Sequence, residues 1–577
     1  MTGCHAPRPF RQRSARLGSA LLLALAAGPL AAQSLPDAGS LLRQAERAGG
    51  DSPQAPPPVP QAATIAPAAA APRFVVHRFQ VRGATLLPAA ELERSLDRFL
   101  DRPIELAELE AGLLELVGHY RRAGWHARVQ LPEQDITEGT VVVEVIEGRF
   151  GQLLLQPLAA GSRANGAQVA GFVQRHLQPG QPYRLDRIER GLLLANDLPG
   201  VRVDGVLQAG QAPGSTDLLL QVRDGPLLGG SVSLGNDGSR YSGRAQAVAR
   251  LALDNPSGLG DQLGASLIRS QGLRYAGANY SIALGSSGLR ASLGQTALDY
   301  RLGKEFDALD SSGSSRMRRA ALGGVFLRGV ETNLEWSLSW TGRVQRDDSF
   351  GMPLRRRRVN DLGLSLYGDF EDEWLHRGRT AWALDLVSGR AHLDLPDDLA
   401  ADSIGPEVEG RFHLASLELM HERWLSPDWR VRARLQGQWA GSNLDSSQQF
   451  VLGGPQGVRG YPVNEAGGDS GAVLQLELHR PLPLPSGREL DSFLFLDHGR
   501  IRQHRQAWAT LALEGGAPNG YGLSAAGLGL GWNRRGGLEA SLSLAHPLGH
   551  NPGGIGGRNQ DGSRRGTQAW FNIRQRF

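Results

Sequence analysis

The chain has 577 residues, of which 41% are hydrophobic and 21% are charged, and glycine alone contributes 76. The hydrophobic fraction argues against a disordered protein, and a mean hydropathy of -0.28 argues against a bundle of membrane helices. The sequence pI of about 9.4 could indicate a nucleic-acid partner, but the net charge is only +4 and the basic residues form no arm. We therefore predict no nucleic-acid binding.

The N-terminus has the pattern of a secretory signal peptide. A short apolar run, LGSALLLALAAGPLAA, ends in small residues and follows four arginines: Arg8, Arg11, Arg13 and Arg16. We predict a signal peptide over residues 1–32, cleaved after Ala32, because a membrane anchor would need a longer apolar run. The single cysteine, Cys4, would leave with it. No later segment approaches the roughly 18 apolar residues of a spanning helix, so membrane insertion of the exported chain must use strands.

Residues 33–50 predict a short helix with Leu41, Leu42 and Ala45 on one side. Residues 51–73 are rich in proline and alanine and predict an extended linker. A short helix on a long tether is either a disordered leader or a plug that docks elsewhere in the protein.

Two similar units follow, at residues 74–149 and 150–225. Each has the order strand, helix, helix, strand, strand, and each ends near a Glu-Gly or Asp-Gly pair. In the first unit the helical period is marked by these apolar positions: Leu92, Leu96, Phe99, Leu109, Leu113, Leu116 and Tyr120. The repeated order predicts two tandem copies of one α+β module, although chance similarity of two α+β stretches is the alternative.

From residue 226 to residue 577 the helical period gives way to alternation. In WRVRARLQGQW, from Trp429 to Trp439, apolar side chains share one face and three arginines share the other. These arginines are Arg430, Arg432 and Arg434. A soluble sandwich would also alternate, but the two tryptophans bracket their strand as the aromatic girdles of an outer-membrane barrel do. Each arginine would cost roughly 2–4 kcal/mol on a lipid face at mid-bilayer, so we predict that all three face a polar lumen.

The last strand and the length of this region also favour a barrel. Phe577 ends an alternating strand with Phe571 and Ile573 on the same face, which resembles the terminal recognition signal of outer-membrane barrels. At about 22 residues per strand and connection, the roughly 350 residues hold about 16 strands, an even number as bacterial barrels require. We predict a mainly β fold, a transmembrane barrel of about 16 strands preceded by the two α+β units and the short helix.

The stretch FVLGGPQGVRGYP, from Phe450 to Pro462, could be taken for a phosphate-binding loop. It lacks the G-x-x-x-x-G-K-[ST] pattern, and an alternating strand rather than a helix follows it. GDSG at residues 468–471 resembles the nucleophile segment of trypsin-like proteases but lacks its context, and we interpret Ser470 as part of a loop. H-E-x-x-H is absent and the 14 histidines are scattered. We predict no catalytic residue, metal or cofactor.

Arg459, within that stretch, has a candidate partner. The segment FLFLDHGRI alternates as a strand and puts Asp497 on the face opposite Leu494 and Leu496. If the leucines face lipid, Asp497 faces the lumen, where a charge-assisted pair with an arginine on a flexible loop is favourable. Spacing alone would instead favour two unrelated polar residues.

Two motifs carry a resemblance to a known family. They are V-R-G-Y, at Val458, Arg459, Gly460 and Tyr461, and F-x-D-x-G, at Phe495, Asp497 and Gly499. With export, two POTRA-like repeats and a barrel, the chain resembles the two-partner secretion transporters of the TpsB type. This is the ShlB/FhaC/HecB haemolysin secretion/activation family, within the POTRA–barrel outer-membrane superfamily. The segment NPSGLGDQL also resembles one of the family, and the resemblance covers nearly the whole mature chain.

The resemblance implies a translocator in the Gram-negative outer membrane with its POTRA domains in the periplasm. The helix at 33–50 would plug the pore, and the linker would let it withdraw. The POTRA domains would capture an unfolded, TpsA-like exoprotein with an N-terminal secretion domain. The glycine-rich loop would fold into the lumen, where Asp497 would hold Arg459. Periplasmic chaperones, the barrel assembly machinery and outer-membrane lipid would be further partners, and no enzymatic step is implied.

Two alternatives stay open. A barrel assembly or insertion factor of the same superfamily also carries V-R-G-Y, but we expect three or more POTRA repeats there and no plug helix. A passive porin, or an enzyme built on a barrel, belongs to another class. Such a protein needs neither tandem POTRA repeats nor the paired motifs.

Overall fold

The computed structural model describes residues 36–49 and 73–577, except 135, 137, 176, 213, 375–376, 485–488, 510, 512–515 and 535. The predicted signal peptide and all of the predicted linker but Arg73 lie outside the described residues. Among the described helices, none is both long and apolar enough to cross a membrane.

The predicted tethered helix is α1, Ala38–Gly49. Leu41, Leu42 and Ala45 are all buried. They pack against side chains on the inner wall of the barrel, among them Tyr275. The helix therefore lies inside the pore, and its apolar side is covered by the wall.

The first α+β unit is a small sheet covered by helices. Its elements are β1 (Arg73–Val75), β2 (Arg78–Arg82), α2 (Ala89–Ser95), a 3-10 turn (Asp97–Phe99), β3 (Pro103–Glu105), α3 (Leu106–Arg122), β4 (Ala127–Gln130) and β5 (Thr140–Glu147). β5 is central, parallel to β2 and antiparallel to β4. The apolar helix positions named above are all buried. β1 and β3 form a separate short ladder that the sequence pattern did not predict.

The second α+β unit repeats this arrangement. Its elements are β6 (Arg149–Leu155), α4 (Gly166–Gln174), α5 (Leu185–Asn196), β7 (Val201–Ala209) and β8 (Ser215–Asp224). β8, the last strand along the chain, is again central, parallel to β6 and antiparallel to β7. The two units are therefore copies of one module with the same strand order.

Sixteen antiparallel strands then close into a barrel. The first are β9 (Leu228–Gly235), β10 (Gln246–Asp254), β11 (Gln262–Arg269), β12 (Leu273–Leu284), β13 (Leu289–Arg301), β14 (Ser312–Arg328), β15 (Thr332–Ser349), β16 (Met352–Asp372), β17 (Gly378–Leu393), β18 (Gly410–Ser426) and β19 (Trp429–Ala440). Two short strands follow and pair with each other, β20 (Phe450–Val451) and β21 (Gly467–Gly468). The barrel continues with β22 (Ser470–Pro483), β23 (Glu489–Arg502), β24 (Gly520–Arg534), β25 (Leu538–Leu548) and β26 (Gln568–Arg576). β26 pairs with β9, so the predicted strand number and closure are confirmed.

The chain direction orients the barrel. β8 leads within a few residues into β9, so the rim at which β9 begins lies on the side of the α+β units. The opposite rim carries the longer connections, including α6 (Pro396–Ser403) and the 3-10 helix Lys304–Leu309. Lys304, the one lysine of the chain, is exposed on this opposite rim.

Side chains alternate between the two faces of the wall. On β23, Leu494 and Leu496 are 60% and 49% exposed on the outer surface, whereas Asp497 between such positions is fully buried inside. Trp439, next to the end of β19, is also exposed on the outer surface. An outward apolar band with aromatic residues towards the strand ends is the pattern of a membrane-embedded barrel.

Phe577 lies one residue beyond β26. Its amide donates to the carbonyl of Gly230 and its carbonyl accepts from the amide of Gly230, at 3.1 Å each. Its ring is exposed. The side chains of Phe571 and Ile573, which precede it on the same face, are exposed as well. The terminal residue therefore extends the seam between the last and the first strand.

Glu147, at the end of β5, ties the first α+β unit together. Its buried carboxylate accepts from the backbone N–H groups of Thr85 and Leu86 at 2.7 Å each and from the Tyr120 hydroxyl at 2.9 Å. The Thr85 hydroxyl donates to it as well. Burial raises the pKa of Glu147, but these hydrogen bonds lower it by more, so the pKa lies below its ordinary value.

Glu147→Gln should destabilise this unit by about 1–3 kcal/mol, because the amide cannot satisfy the same donors. Since the folded pKa is lowered, the carboxylate stabilises the unit fully above the unfolded pKa, and this contribution is lost as the pH falls through the folded pKa. Hydrogen–deuterium exchange of the full chain should show faster exchange over residues 79–100 at neutral pH, with the difference shrinking below about pH 4. Glu144→Gln, on the same strand, is the control. Equal exchange in the two variants would contradict this role.

Candidate functional site in the barrel lumen

The connection between β19 and β22 folds back into the barrel and carries the V-R-G-Y motif. We refer to residues 450–468, whose stem is the β20–β21 ladder, as the lumen loop. Val458 and Tyr461 are fully buried and pack in a cluster with Val473 and Leu523 of the wall. The loop is thus packed against the wall as a folded part of the structure.

Arg459 contacts Asp497 through three donors. Its backbone N–H and its Nε donate to Oδ2 at 3.0 and 2.9 Å, and its Nη2 donates to Oδ1 at 2.6 Å. Its Nη1 donates to Oε1 of Glu477 at 2.5 Å, and its guanidinium carbon lies 3.6 Å from the ring centroid of Phe495. A buried guanidinium is thereby paired with two carboxylates and an aromatic face.

The F-x-D-x-G residues of β23 all contact the lumen loop or make room for it. Phe495 stacks on the arginine and Asp497 accepts its hydrogen bonds. A Cβ on Gly499 would lie 2.9 Å from the Leu452 side chain and 3.1 Å from that of Val458. The spacing of this motif thus places an aromatic ring, a carboxylate and a gap along one inward-facing row.

Gly460 of the V-R-G-Y motif also fits closely against the barrel wall. A Cβ on Gly460 would lie 2.7 Å from the Cβ of Ala525 and 2.9 Å from the backbone nitrogen of Pro547. The Arg459 carbonyl accepts from Trp570 Nε1 at 2.8 Å. The tip of the lumen loop therefore contacts β24, β25 and β26 as well as β23.

The three arginines of β19 point into the lumen, where each is paired. Their partners are carboxylates of neighbouring strands: Arg430 with Glu422 and Asp491, Arg432 with Glu422 and Glu477, and Arg434 with Glu418. Glu477 contacts both Arg432 of the wall and Arg459 of the loop. One network of charges therefore connects the wall to the loop.

These acidic partners were not predicted from the sequence. Glu422 and Glu477 lie directly opposite Arg432, one on each side, in the registers of β18 and β22 with β19. The alternation of LQLELHR already indicated that Glu477 and His479 share a face. The pairing of β22 with β19 was not evident, because the lumen loop separates the two strands.

Helix α1 contacts the lumen loop and the chain that leads into it. Arg43 Nη1 donates to the carbonyl of Ser446 at 2.6 Å. Oε1 of Gln44 accepts from Nδ2 of Asn464 in the loop at 3.1 Å. The positions of helix and loop are therefore coupled by direct hydrogen bonds.

The N-terminus of α1 meets the wall near the rim opposite the α+β units. Oδ1 of Asp347 accepts from the Ala38 backbone N–H at 2.8 Å and from the Tyr300 hydroxyl at 2.6 Å. Arg355 forms an ion pair with Asp37 at 3.3 Å. A carboxylate at a helix N-terminus satisfies a free N–H and interacts favourably with the helix dipole.

The GDSG segment stabilises the structure through hydrogen bonds of Asp469 and Ser470. Asp469 is fully buried and accepts from the backbone N–H groups of Leu444 at 3.0 Å and Arg505 at 2.7 Å. The prediction that Ser470 lies in a loop is wrong, because Ser470 pairs with β23 as the first residue of β22. Its hydroxyl accepts from the Ala440 N–H at 2.9 Å. Among the described residues, no group of three His, Cys, Asp or Glu side chains could hold a metal ion.

A closed lipid-facing barrel with two POTRA-type modules and an occupied lumen defines an outer-membrane transporter whose POTRA domains lie in the periplasm. The chain belongs to the haemolysin secretion/activation protein family ShlB/FhaC/HecB, whose model matches residues 214–532. The model of the ShlB-type POTRA domain matches residues 74–148. The predicted identity as a two-partner secretion transporter is thus confirmed, and the assembly factor and the porin are disfavoured.

Individual proteins agree with this assignment. The heme/hemopexin transporter protein HuxB of Haemophilus influenzae is 28% identical over 465 residues, covering 80% of this chain and 81% of that protein. The outer membrane transporter CdiB of Dickeya dadantii is 26% identical, covering 77% and 80%. The structure of CdiB from Escherichia coli matches 93% of this chain and 96% of that one with a TM-score of 0.65 at 21% identity, which shows a shared fold.

Arg459→Ala should reduce secretion strongly without preventing barrel insertion. The change leaves the buried carboxylate of Asp497 without its arginine, which costs about 3–5 kcal/mol in a buried pair and should release the loop tip. We expect the amount of secreted exoprotein to fall roughly tenfold or more, because tenfold corresponds to about 1.4 kcal/mol, which is only part of that cost. Heat-modifiable migration in gels checks insertion. Arg434→Ala, which removes a lumen arginine paired with the wall, is the matched control, and near-normal secretion by Arg459→Ala would refute the proposed role.

Proposed function

We propose that this transporter exports an unfolded exoprotein through the barrel after α1 has left the pore. The observation that carries the proposal is that α1 lies in the lumen, where polar contacts at Asp37, Ala38, Arg43 and Gln44 join it to the wall and the loop region. Such contacts can exchange with water, so the helix can leave without exposing a large apolar surface beyond its one buried side. Its departure breaks the Gln44–Asn464 contact and so reaches the loop that bears Arg459.

The periplasmic modules offer an edge for cargo capture. β7 is an edge strand of its sheet, and Val206 and Leu207 in its second half are 46% and 38% exposed. An edge strand with exposed apolar side chains suits the addition of an extended peptide segment. We propose that the N-terminal secretion domain of a TpsA-like exoprotein pairs here before it enters the barrel.

The cargo proposed here is a class of protein. HuxB is named for heme and hemopexin, and CdiB is named as an outer membrane transporter. What they share with this chain is the sequence of the transporter, which does not specify the cargo. We propose a large secreted protein whose folding outside the cell prevents its return, so that export needs no catalytic residue or cofactor. Biogenesis would use the signal peptide at residues 1–32, periplasmic chaperones and the barrel assembly machinery, with Phe577 in the terminal signal.

Export can be tested with a TpsA-like exoprotein that is produced in the same cells as the transporter. Cells that produce both should release the exoprotein into the medium, and Val206→Glu should reduce the release because it replaces an exposed apolar side chain of the proposed pairing edge by a charge. Gln208→Glu adds the same charge on the same exposed face and should leave secretion near normal. Release that does not require the transporter would contradict the function, and equal secretion by the two variants would contradict only the role of β7.

Removal of the plug should open the pore. We expect deletion of residues 34–50 to raise single-channel conductance in planar bilayers, and Asp347→Asn to raise the frequency of open events, because the amide weakens the contact with the helix N-terminus. The matched control is Asp348→Asn, whose native carboxylate pairs with Arg356 at 2.6 Å. Unchanged conductance after the deletion would argue against a plug.

A further inference from the structure

A groove lies between the second α+β unit and the rim of the barrel above it. It has a volume of about 560 Å³ and is lined by α4 and α5 on one side and by the turns after β12 and β14 on the other. Four of its lining residues are arginines: Arg175, Arg187, Arg190 and Arg328. This groove is outside the lumen and has no part in the function proposed above.

The charges of the groove are not balanced. Two carboxylates beside the groove are each engaged by an arginine, and Glu335 and Asp369 also attract Arg328. Asp186 accepts from Arg184 at 3.0 and 2.8 Å, and Asp197 accepts from Arg328 at 2.8 and 2.7 Å.

None of the other three arginines forms a close ion pair in the described part of the chain, although Arg187 is attracted to Asp186. Arg190 donates to the carbonyls of Phe326 and Val325 at 3.2 Å each, so its charge is held at the rim without being neutralised. Burial lowers the pKa of Arg190, and the positive charge of Arg187 lowers it further. Like charges held together in this way indicate a place for an anion.

The position of the groove along the membrane normal indicates which kind of anion it binds. Phe326, Leu327 and Val330, at the periplasmic end of β14 and in the turn that follows, are exposed on the outside of the barrel. The Phe326 ring lies 6.2 Å from that of Trp336, an outward aromatic pair typical of the membrane interface. An anion in the groove would therefore lie at headgroup level, with apolar side chains where acyl chains begin.

We propose that this groove binds the phosphate headgroup of an anionic phospholipid of the periplasmic leaflet. Guanidinium groups recognise phosphate by paired hydrogen bonds, and basic pockets beside membrane-spanning segments suit such headgroups. An acidic peptide would also match the charge, but it would leave the apolar rim without a partner. The lipid would join the second α+β unit to the barrel and so restrain its orientation.

The test measures lipid binding to the purified full-length protein in neutral detergent by native mass spectrometry, with phosphatidylglycerol as the probe. Arg175 and Arg187 are exposed, so Arg175→Gln with Arg187→Gln should fold, which heat-modifiable migration checks. Each arginine near a membrane surface contributes about a fivefold gain in binding, so the double variant should bind phosphatidylglycerol roughly 25-fold more weakly. Arg187→Lys, which keeps the charge, should retain most of the binding. Arg202→Gln, on exposed β7, removes the same charge elsewhere and should bind as the unmodified protein does.

Several results would overturn the proposal. They are equal phosphatidylglycerol binding by the double variant, equal retention of phosphatidylcholine by the unmodified protein, and displacement of phosphatidylglycerol by equimolar inorganic phosphate. Tight binding of a polyglutamate peptide at the same arginines, without lipid, would assign the groove to an acidic protein segment instead.

Discussion

The pairing of arginines with carboxylates inside the barrel is the interaction on which the rest of the lumen depends. Alternation forces every second side chain of the wall inward, and a guanidinium there is stable only with an acidic partner. Glu477 contacts both Arg432 and Arg459, so the wall and the loop share one set of charges. Because a buried carboxylate left alone is costly, this network determines where the loop tip lies more than it adds to overall stability.

The position of the loop tip in turn affects helix α1. Asn464 of the loop contacts Gln44, and Ser446 before it accepts from Arg43. At the other end of the helix, Asp347 satisfies an N–H that the helix leaves free. The helix is thus held by groups from distant parts of the chain. Its hydrogen bonds to the wall and the loop are polar and exchangeable, whereas the contacts that close the barrel are continuous backbone ladders.

Sequence patterns were sufficient for the architecture because each element has its own period. Leu109, Leu113 and Leu116 mark a helix, and the alternation around Arg432 marks a strand and its inward face. The contact between Arg459 and Asp497 could be anticipated from the inward face of Asp497 together with the family resemblance, but not from spacing alone. Glu422 and Asp347 could not, because their roles depend on strand register and on a helix that docks from more than three hundred residues away. Ser470 was misplaced because the glycines around it indicate a turn, while ladder pairing with β23 makes it a strand residue.

Arginine supplies nearly all the basic side chains of this protein in place of lysine, which has a practical consequence for studies of intact cells. Lys304 is the one lysine of the chain, and it lies exposed on the rim opposite the periplasmic modules. A membrane-impermeant amine reagent applied to whole bacteria therefore has a single side-chain target in this protein, located on the outer face. One labelling site per molecule provides a fixed reference for fluorescence distances to the lumen, without the removal of any native residue.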